Sequence, residues 1–135
     1  MEAAKIPFVK LVGVAQENTT LSLDFNDKIL NHIKTIHASA QFTLAETQSG
    51  VFLQELFPDL EHQVIPVLRD SQIKFKKPAV QKIFAYAKTS EDVIIKFKEQ
   101  FEKKGRATIQ VNVDIKDIND VLTTQATFTW FIQKI

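Results

Sequence analysis

The residues whose types and spacing suit chemistry lie between Asn31 and Leu56, in the stretch NHIKTIHASAQFTLAETQSGVFLQEL. A polar loop holding His32 and His37 leads into one long helical pattern. Stepping about 100° per residue from Ala38, the residues Ala38, Phe42, Ala45, Ser49, Phe52, Leu53 and Leu56 fall within about 60° of one line. That stripe predicts the core-facing side of a helix over about 38–56. Gln41, Thr43, Thr47, Gln48, Gly50, Gln54 and Glu55 stand on its other, polar or small, faces. Glu46 stands at the flank of the stripe, beside Ser39 and Gly50. A carboxylate there is partly removed from water, which raises its proton affinity. Its small neighbours leave room for a ligand. Plainer readings stand beside these. A flank Glu is commonly a solvated group, and a His just before a helix is commonly a cap. Gly50 inside a helix costs about 1 kcal/mol relative to Ala, so either tight packing or a substrate must want its side chain absent.

The bounds of the chain narrow the function classes. Its 135 residues predict one domain, 1–135, around a single core. A formal net charge of +1 makes no electrostatic case for nucleic acid or a membrane surface. There is no cysteine, which excludes disulfides, a Cys nucleophile and thiolate metal sites. No cluster of other ligand types predicts a metal centre. The start, MEAAKIPFVKLVGV, lacks a basic region followed by an apolar one, and no apolar run is long enough to span a bilayer. A cytoplasmic protein is the expectation.

The elements that must position Glu46 follow from periodicity. Phe8 to Gln16 reads as a strand of mixed pattern, and Glu17-Asn18 as a turn. Thr20 to Asn26 alternates, with Leu21, Leu23 and Phe25 on one face. Pro58 ends the long helix, because it disfavours helical geometry at the residue before it. Val64 to Lys76 and Val80 to Lys88 read as strands. Ser90 to Lys104 reads as a short helix with a Ser cap, acidic residues at its start and basic ones before Gly105. Ala107 to Lys116 and Thr124 to Gln133 are strands, the last with Ala126, Phe128, Trp130 and Ile132 on its inner face. Alternating strands with one large helix to cover them predict an α+β fold, an antiparallel sheet curled around the helix at 38–56. That is the hotdog architecture.

The residues also carry a resemblance. Asn31, His37, Ala38-Ser39 and Leu44-Ala45-Glu46 resemble the motif of hotdog thioesterases of the phenylacetyl-CoA thioesterase type, Asn-x-x-Gly-x-x-His-Gly-Gly followed by Leu-Ala-Asp or Leu-Ala-Glu. Lys34 stands where that family often has Gly, and Ala38-Ser39 replaces Gly-Gly. Lys104-Gly105-Arg106-Ala107 and Trp130 are similar to the tail of a family of uncharacterised thioesterase-like hotdog proteins. The resemblance implies an acyl-CoA thioesterase that needs no cofactor and no metal, CoA being part of the substrate. It implies Glu46 as nucleophile or as general base for water. It implies backbone N–H groups near Ala38 and Ser39 as the oxyanion site, with Asn31 and His37 orienting the thioester or supporting the loop.

Geometry adds a partner. His37 and Glu46 are nine residues apart, so about 13 Å along a helix and roughly opposite around it. One chain cannot bring both to one carbonyl. A two-fold dimer with antiparallel helices brings one chain's Glu46 to the other's helix start, as the resemblance also implies; a homodimer, or a homotetramer built from it, is expected. Arg69, Lys74, Lys76 and Lys77 are candidates for the CoA phosphates, and Gly50, Phe84, Tyr86 and Phe131 for the acyl pocket. Two other functions fit the same fold. A dehydratase pairs a loop His with a helix Glu fourteen residues on, the spacing of His32 and Glu46. A non-catalytic acyl-binding protein needs neither.

Overall fold

The protein is described by a computed structural model, covering residues 2–135. Six strands form one antiparallel sheet. They are β1 (Ala15–Glu17), β2 (Thr20–Leu23), β3 (Val64–Phe75), β4 (Ile83–Lys88), β5 (Arg106–Asp117) and β6 (Leu122–Lys134), in spatial order β1-β2-β4-β5-β6-β3. Alternation decides the inner face. In β5, Ala107, Ile109, Val111, Val113 and Ile115 are buried, whereas Arg106, Thr108, Gln110 and Asn112 are exposed. In β6, Ala126, Phe128 and Ile132 are buried, and Trp130 packs partly buried beside them.

Helix α2 (Ala38–Leu56) lies against that inner face and touches β2, β4, β5 and β6. It is enclosed far beyond the expected stripe. Gln41, Thr43, Thr47 and Gln48, expected on its polar faces, are all buried, while Ala38 of the stripe is exposed. A helix wrapped by a curved sheet has few directions left for water, so its polar side chains must bond inside the protein. Thr43 and Thr47 donate to the carbonyls one turn back, Ser39 O at 2.9 Å and Thr43 O at 2.6 Å. Gln41 Oε1 accepts from the hydroxyls of Thr123 and Thr124 on β6. Gln48 accepts from Leu21 N at 2.9 Å and donates to Thr19 O at 2.8 Å, which pins β2 to the helix. No buried side-chain polar atom lacks a partner among the described residues.

The first strand expected, over Phe8–Gln16, is instead a short helix followed by a three-residue strand. Helix α1 (Pro7–Val12) starts with proline in its first turn and ends on Gly13, whose φ of +94° gives the left-handed cap. α1 lies against α2. β2 stops at Leu23, short of the expected Asn26, because Asn26 accepts from Lys28 N and opens a 3-10 turn over Asp27–Ile29. β4 begins at Ile83 rather than at Val80. Helix α3 (Glu91–Lys104) has the expected caps, Ser90 accepting from Val93 N and Gly105 in the left-handed region. It buries Phe97 against Phe57, ring centroids 4.9 Å apart, at the end of α2. The whole is the hotdog arrangement, a sheet wrapped on one long helix. No helix among the described residues is long and apolar enough to cross a membrane.

The Gln48 clamp is open to measurement. Gln48→Ala leaves the buried Leu21 N–H without its acceptor, which costs about 1–3 kcal/mol. Chemical denaturation is expected to show a loss of that size with an unchanged slope. A loss below about 0.5 kcal/mol, the range of ordinary surface changes, would mean that β2 is held by its apolar contacts alone.

Candidate functional site

The loop before α2 is built around Asn31. Its Oδ1 accepts from Ile33 N and Thr35 N, both at 3.0 Å, and its Nδ2 donates to Thr35 Oγ1 at 2.8 Å. Asn31 therefore supports the loop and has its amide committed there. Lys34, standing in the glycine position of the motif, takes a left-handed φ of +66°, a region where a side chain costs roughly 1–2 kcal/mol. Ile36 N donates to Ala79 O at 2.9 Å, tying the loop to the segment before β4.

His37 is the N-cap of α2. Its Nδ1 accepts from Ser39 N at 2.9 Å, and its carbonyl accepts from Ala40 N and Gln41 N. An accepting Nδ1 leaves the ring proton on Nε2. The cap also changes the expected oxyanion site. Ser39 N–H is taken by the imidazole, whereas Ala38 N–H has no partner among the described residues. Ala38, at the positive end of the helix, holds the free donor.

Glu46 lies on the one face of α2 that the sheet leaves partly open. Phe42, Glu46, Gly50 and Gln54, four residues apart in turn, form this ladder, and none of the four is fully buried. Beside it is a cavity of about 340 Å³, walled by Phe42, Val51, Trp130 and, from the N-terminal segment, Ile6, Phe8 and Val9. Among the described residues, Glu46 is the only ionisable side chain lining it. Burial pushes the Glu46 carboxyl above its ordinary range, and a long contact from Thr47 Oγ1, 3.5 Å, offsets this in small part. The result is a carboxylate with raised basicity facing an apolar space, suited to taking a proton from water or attacking an electrophile.

The remaining candidates divide. Gly50 joins Glu46 in the cavity wall. Lys76 and Lys77 sit at the helix-start end, since their N–H groups both bond Thr123 O and the Thr123 hydroxyl bonds Gln41. Arg69 is elsewhere, its guanidinium 4.1 Å over the Phe131 ring, and Lys74 lines a polar hollow with Lys88 and Asp114. His32 is exposed in the Asn31–Thr35 turn. Phe84, Tyr86 and Phe131, expected to line a pocket, line no cavity beside Glu46. Ile83 and Ala85 take the buried positions of β4, so the residues between them point away from the helix. The pocket's aromatic and aliphatic walls come instead from α1, Phe42 and Trp130. The α1 contribution was hidden by the strand reading of Phe8–Gln16, although Pro7 and Gly13 carried the helix signal. No group of three or more acidic or His residues stands together as for a metal ion among the described residues.

The raised carboxyl makes a stability prediction. The folded chain holds the Glu46 proton more tightly than the unfolded chain does. That contribution is fully present below the ordinary carboxylate range and is lost as pH rises through the folded-state value. Glu46→Gln keeps the neutral shape at every pH. It is therefore expected to raise the denaturation midpoint at neutral pH, with the advantage shrinking as pH falls toward about 4, the ordinary Glu value. A variant less stable than wild type at pH about 7 would contradict the desolvated carboxylate.

Comparison with known proteins bears on the fold. Solved structures share the fold along nearly the whole chain. The probable thioesterase PA5026 of unknown function from Pseudomonas aeruginosa superposes with a TM-score of 0.82 at 20% identity, covering 98% of this chain and 91% of that one. The thioesterase enzyme SAV0944 from Staphylococcus aureus, in a mutant form, gives 0.73 at 18%, covering 94% and 98%. The BH2602 protein from Bacillus halodurans, solved with CoA, gives 0.72 at 16%, covering 93% and 74%. No curated protein matches the chain. At these identities the likeness is one of fold, the hotdog fold of thioesterase-like proteins. The sequence profile of one family matches residues 4–132, and the chain belongs to that family, described as a domain of unknown function, DUF4442.

Proposed function

We infer that this protein hydrolyses an acyl-CoA thioester, with Glu46 as the group that activates the attack. The observation that carries the reading is Glu46 itself, a single desolvated carboxylate on the open face of an enclosed helix, beside an apolar cavity. Thioesterases among the solved structures of the same fold, and one such structure with CoA, support it.

The thioester carbonyl sits at the mouth of the cavity with its acyl group inside. In one course Glu46 takes a proton from water while the water oxygen bonds the carbonyl carbon. In the other the carboxylate attacks that carbon directly, and water then cleaves the resulting anhydride. Either way the carbonyl electrons move onto oxygen, the oxyanion collapses, and the C–S bond breaks. CoA leaves as the thiolate and takes up the proton. No cofactor enters the sequence.

The oxyanion needs a donor, and Ala38 N–H of the same helix is eight residues from Glu46, about 12 Å away along the axis. A two-fold partner supplies it. Strand β3, twelve residues long, is the edge of the sheet and exposes Ile65 and Val67 at more than half their surface. Such an edge is a template for pairing with another copy. A two-fold axis there continues the sheet into the partner and sets the α2 helices antiparallel, which carries the partner's Ala38 toward Glu46. Lys76 and Lys77, at the helix-start end, then stand where CoA phosphates enter. One observation favours a second reading. With Ser39 N–H held by His37, the oxyanion site has one free helix donor rather than two, which suits an acyl-CoA binder without turnover. The dehydratase pairing has His32 out in an exposed turn.

An acyl-CoA panel followed by free-thiol release separates these readings. Wild type is expected to release CoA, and Glu46→Gln to lose about 10²–10⁴-fold in kcat while remaining folded. Activity within threefold of wild type in the variant would remove Glu46 from the mechanism. Hydration of an enoyl-CoA would indicate the dehydratase, and binding without either reaction the non-catalytic protein. Light scattering at micromolar concentration is expected to show at least a dimer; a clean monomer would dismantle the shared site.

A further inference from the structure

We propose that Trp130 and Gly50 form the gauge that sets acyl-chain length, and that the substrate's acyl group is a straight hydrocarbon chain lying along α2. The proposal rests on the acyl-thioester reading above. Its basis is a second cavity. Beyond Trp130, away from Glu46, lies a space of about 450 Å³ walled by Leu53, Phe57, Leu60, Val64 and Ile132. Only Gly50 and Trp130 belong to the walls of both cavities. Its polar and charged lining is Gln54, partly buried one turn beyond Gly50, and the exposed Glu61 and His62. An apolar space of this size, entered from beside a reactive carboxylate, fits a hydrocarbon tail.

The divider is held in place. Trp130 Nε1 donates to Ser49 Oγ at 2.9 Å, and Ser49 Oγ donates to Glu46 O at 2.6 Å. Ser49 is fully buried, so the indole is fixed to the backbone of the very residue that faces the thioester. Opposite the indole edge stands Gly50. A Cβ built there would meet Trp130 Cζ2 at 3.6 Å and Cη2 at 3.8 Å, ordinary contact distances. Packing therefore does not demand glycine, and its helical backbone does not either. A mid-helix glycine still costs about 1 kcal/mol against alanine. What its missing side chain leaves is a methyl-sized notch against the indole edge, at the place where the two cavities share their walls.

Dimensions follow from helix rise. Phe42 to Gly50 spans about 12 Å and Gly50 to Phe57 about 10 Å. A short or compact acyl group fills the Glu46 cavity and stops at the indole. A longer straight chain passes over Gly50, along the indole edge, into the second cavity, and each added methylene there leaves water, worth about 0.8 kcal/mol.

The test uses straight-chain thioethers of CoA, which bind without turnover, alongside the matching acetyl, hexanoyl, dodecanoyl and palmitoyl thioesters. Wild type is expected to bind dodecyl thioether more tightly than ethyl thioether. Gly50→Leu is expected to lower the long-to-short ratio of affinity, and of kcat/KM, at least roughly tenfold, the discrimination an apolar pocket achieves by size. Gly50→Ala, whose methyl fits, gives a smaller fall in the same direction and serves where the leucine variant is unstable. Trp130→Phe leaves Ser49 bonded to Glu46 O and is expected to raise the ratio. Trp130 is the chain's one tryptophan, so its emission is expected to shift with long thioethers and much less with the ethyl one. Loss of affinity in equal proportion for short and long chains in the Gly50 variants, or emission indifferent to chain length, would overturn the gauge. Chain-dependent binding with no hydrolysis would sink the thioesterase reading and leave the gauge standing. Hydrolysis with no chain-length dependence would do the reverse.

Discussion

Everything in this fold depends on enclosing α2. A helix surrounded by sheet on most sides cannot leave its polar groups to water, so each must find a partner inside. Gln41 and Gln48 do more than satisfy themselves. One reaches the hydroxyls of β6 and the other the backbone around β2, each the strand next to an edge of the sheet. The helix is thereby fixed in register and rotation against the sheet. Its rotation decides which ladder of residues is left facing outward, and that ladder contains Glu46.

The same enclosure is why the proposed reaction calls for a second chain. Donor and base lie on one rigid helix, about 12 Å apart along its axis, and no loop movement shortens that distance. In the proposed dimer the outer edge of β3 would supply the contact through backbone hydrogen bonds rather than a special interface motif. That edge is exposed and apolar at Ile65 and Val67, while Pro66, Arg69, Asp70, Lys74 and the irregularity at Leu68/Asp70 blunt it elsewhere, so the pairing stretch open to another copy is short.

Legibility in the sequence tracks how local the cause is. β5 and α3 were readable because alternation and caps are written within each segment. The outline of α2 was readable from its length and from Pro58. Its buried faces were not, because nothing local says that Gln41 and Gln48 meet backbone and hydroxyls from β2 and β6, far off in sequence. The same cause defeated the pocket reading of Phe84 and Tyr86: which side of a strand faces a helix is a property of the sheet. α1 was a different failure, since Pro7 and Gly13 bracket it in the standard way and a mixed apolar pattern outweighed them. The flank position and partial burial of Glu46 were legible because their signal was local too, a carboxylate on a helix flank among small residues.

His37 poses the sharpest tension in the site. The resemblance gives the histidine and the two residues after it to substrate, yet here its ring commits Nδ1 to Ser39 N–H. The two uses compete for one donor. Capping an N-terminus with a side chain is worth about 1 kcal/mol, whereas an oxyanion-hole donor is worth about 3–4 kcal/mol in the transition state. The stronger interaction is the one made in the transition state, so in the proposed reaction an oxyanion at this helix start would draw Ser39 N–H away from the imidazole at a modest cost. Such a rotation of the ring frees Nδ1 at the helix start. Under that reading the observed cap is the resting use of His37, and it would keep the donor occupied and ordered until a developing negative charge displaced it.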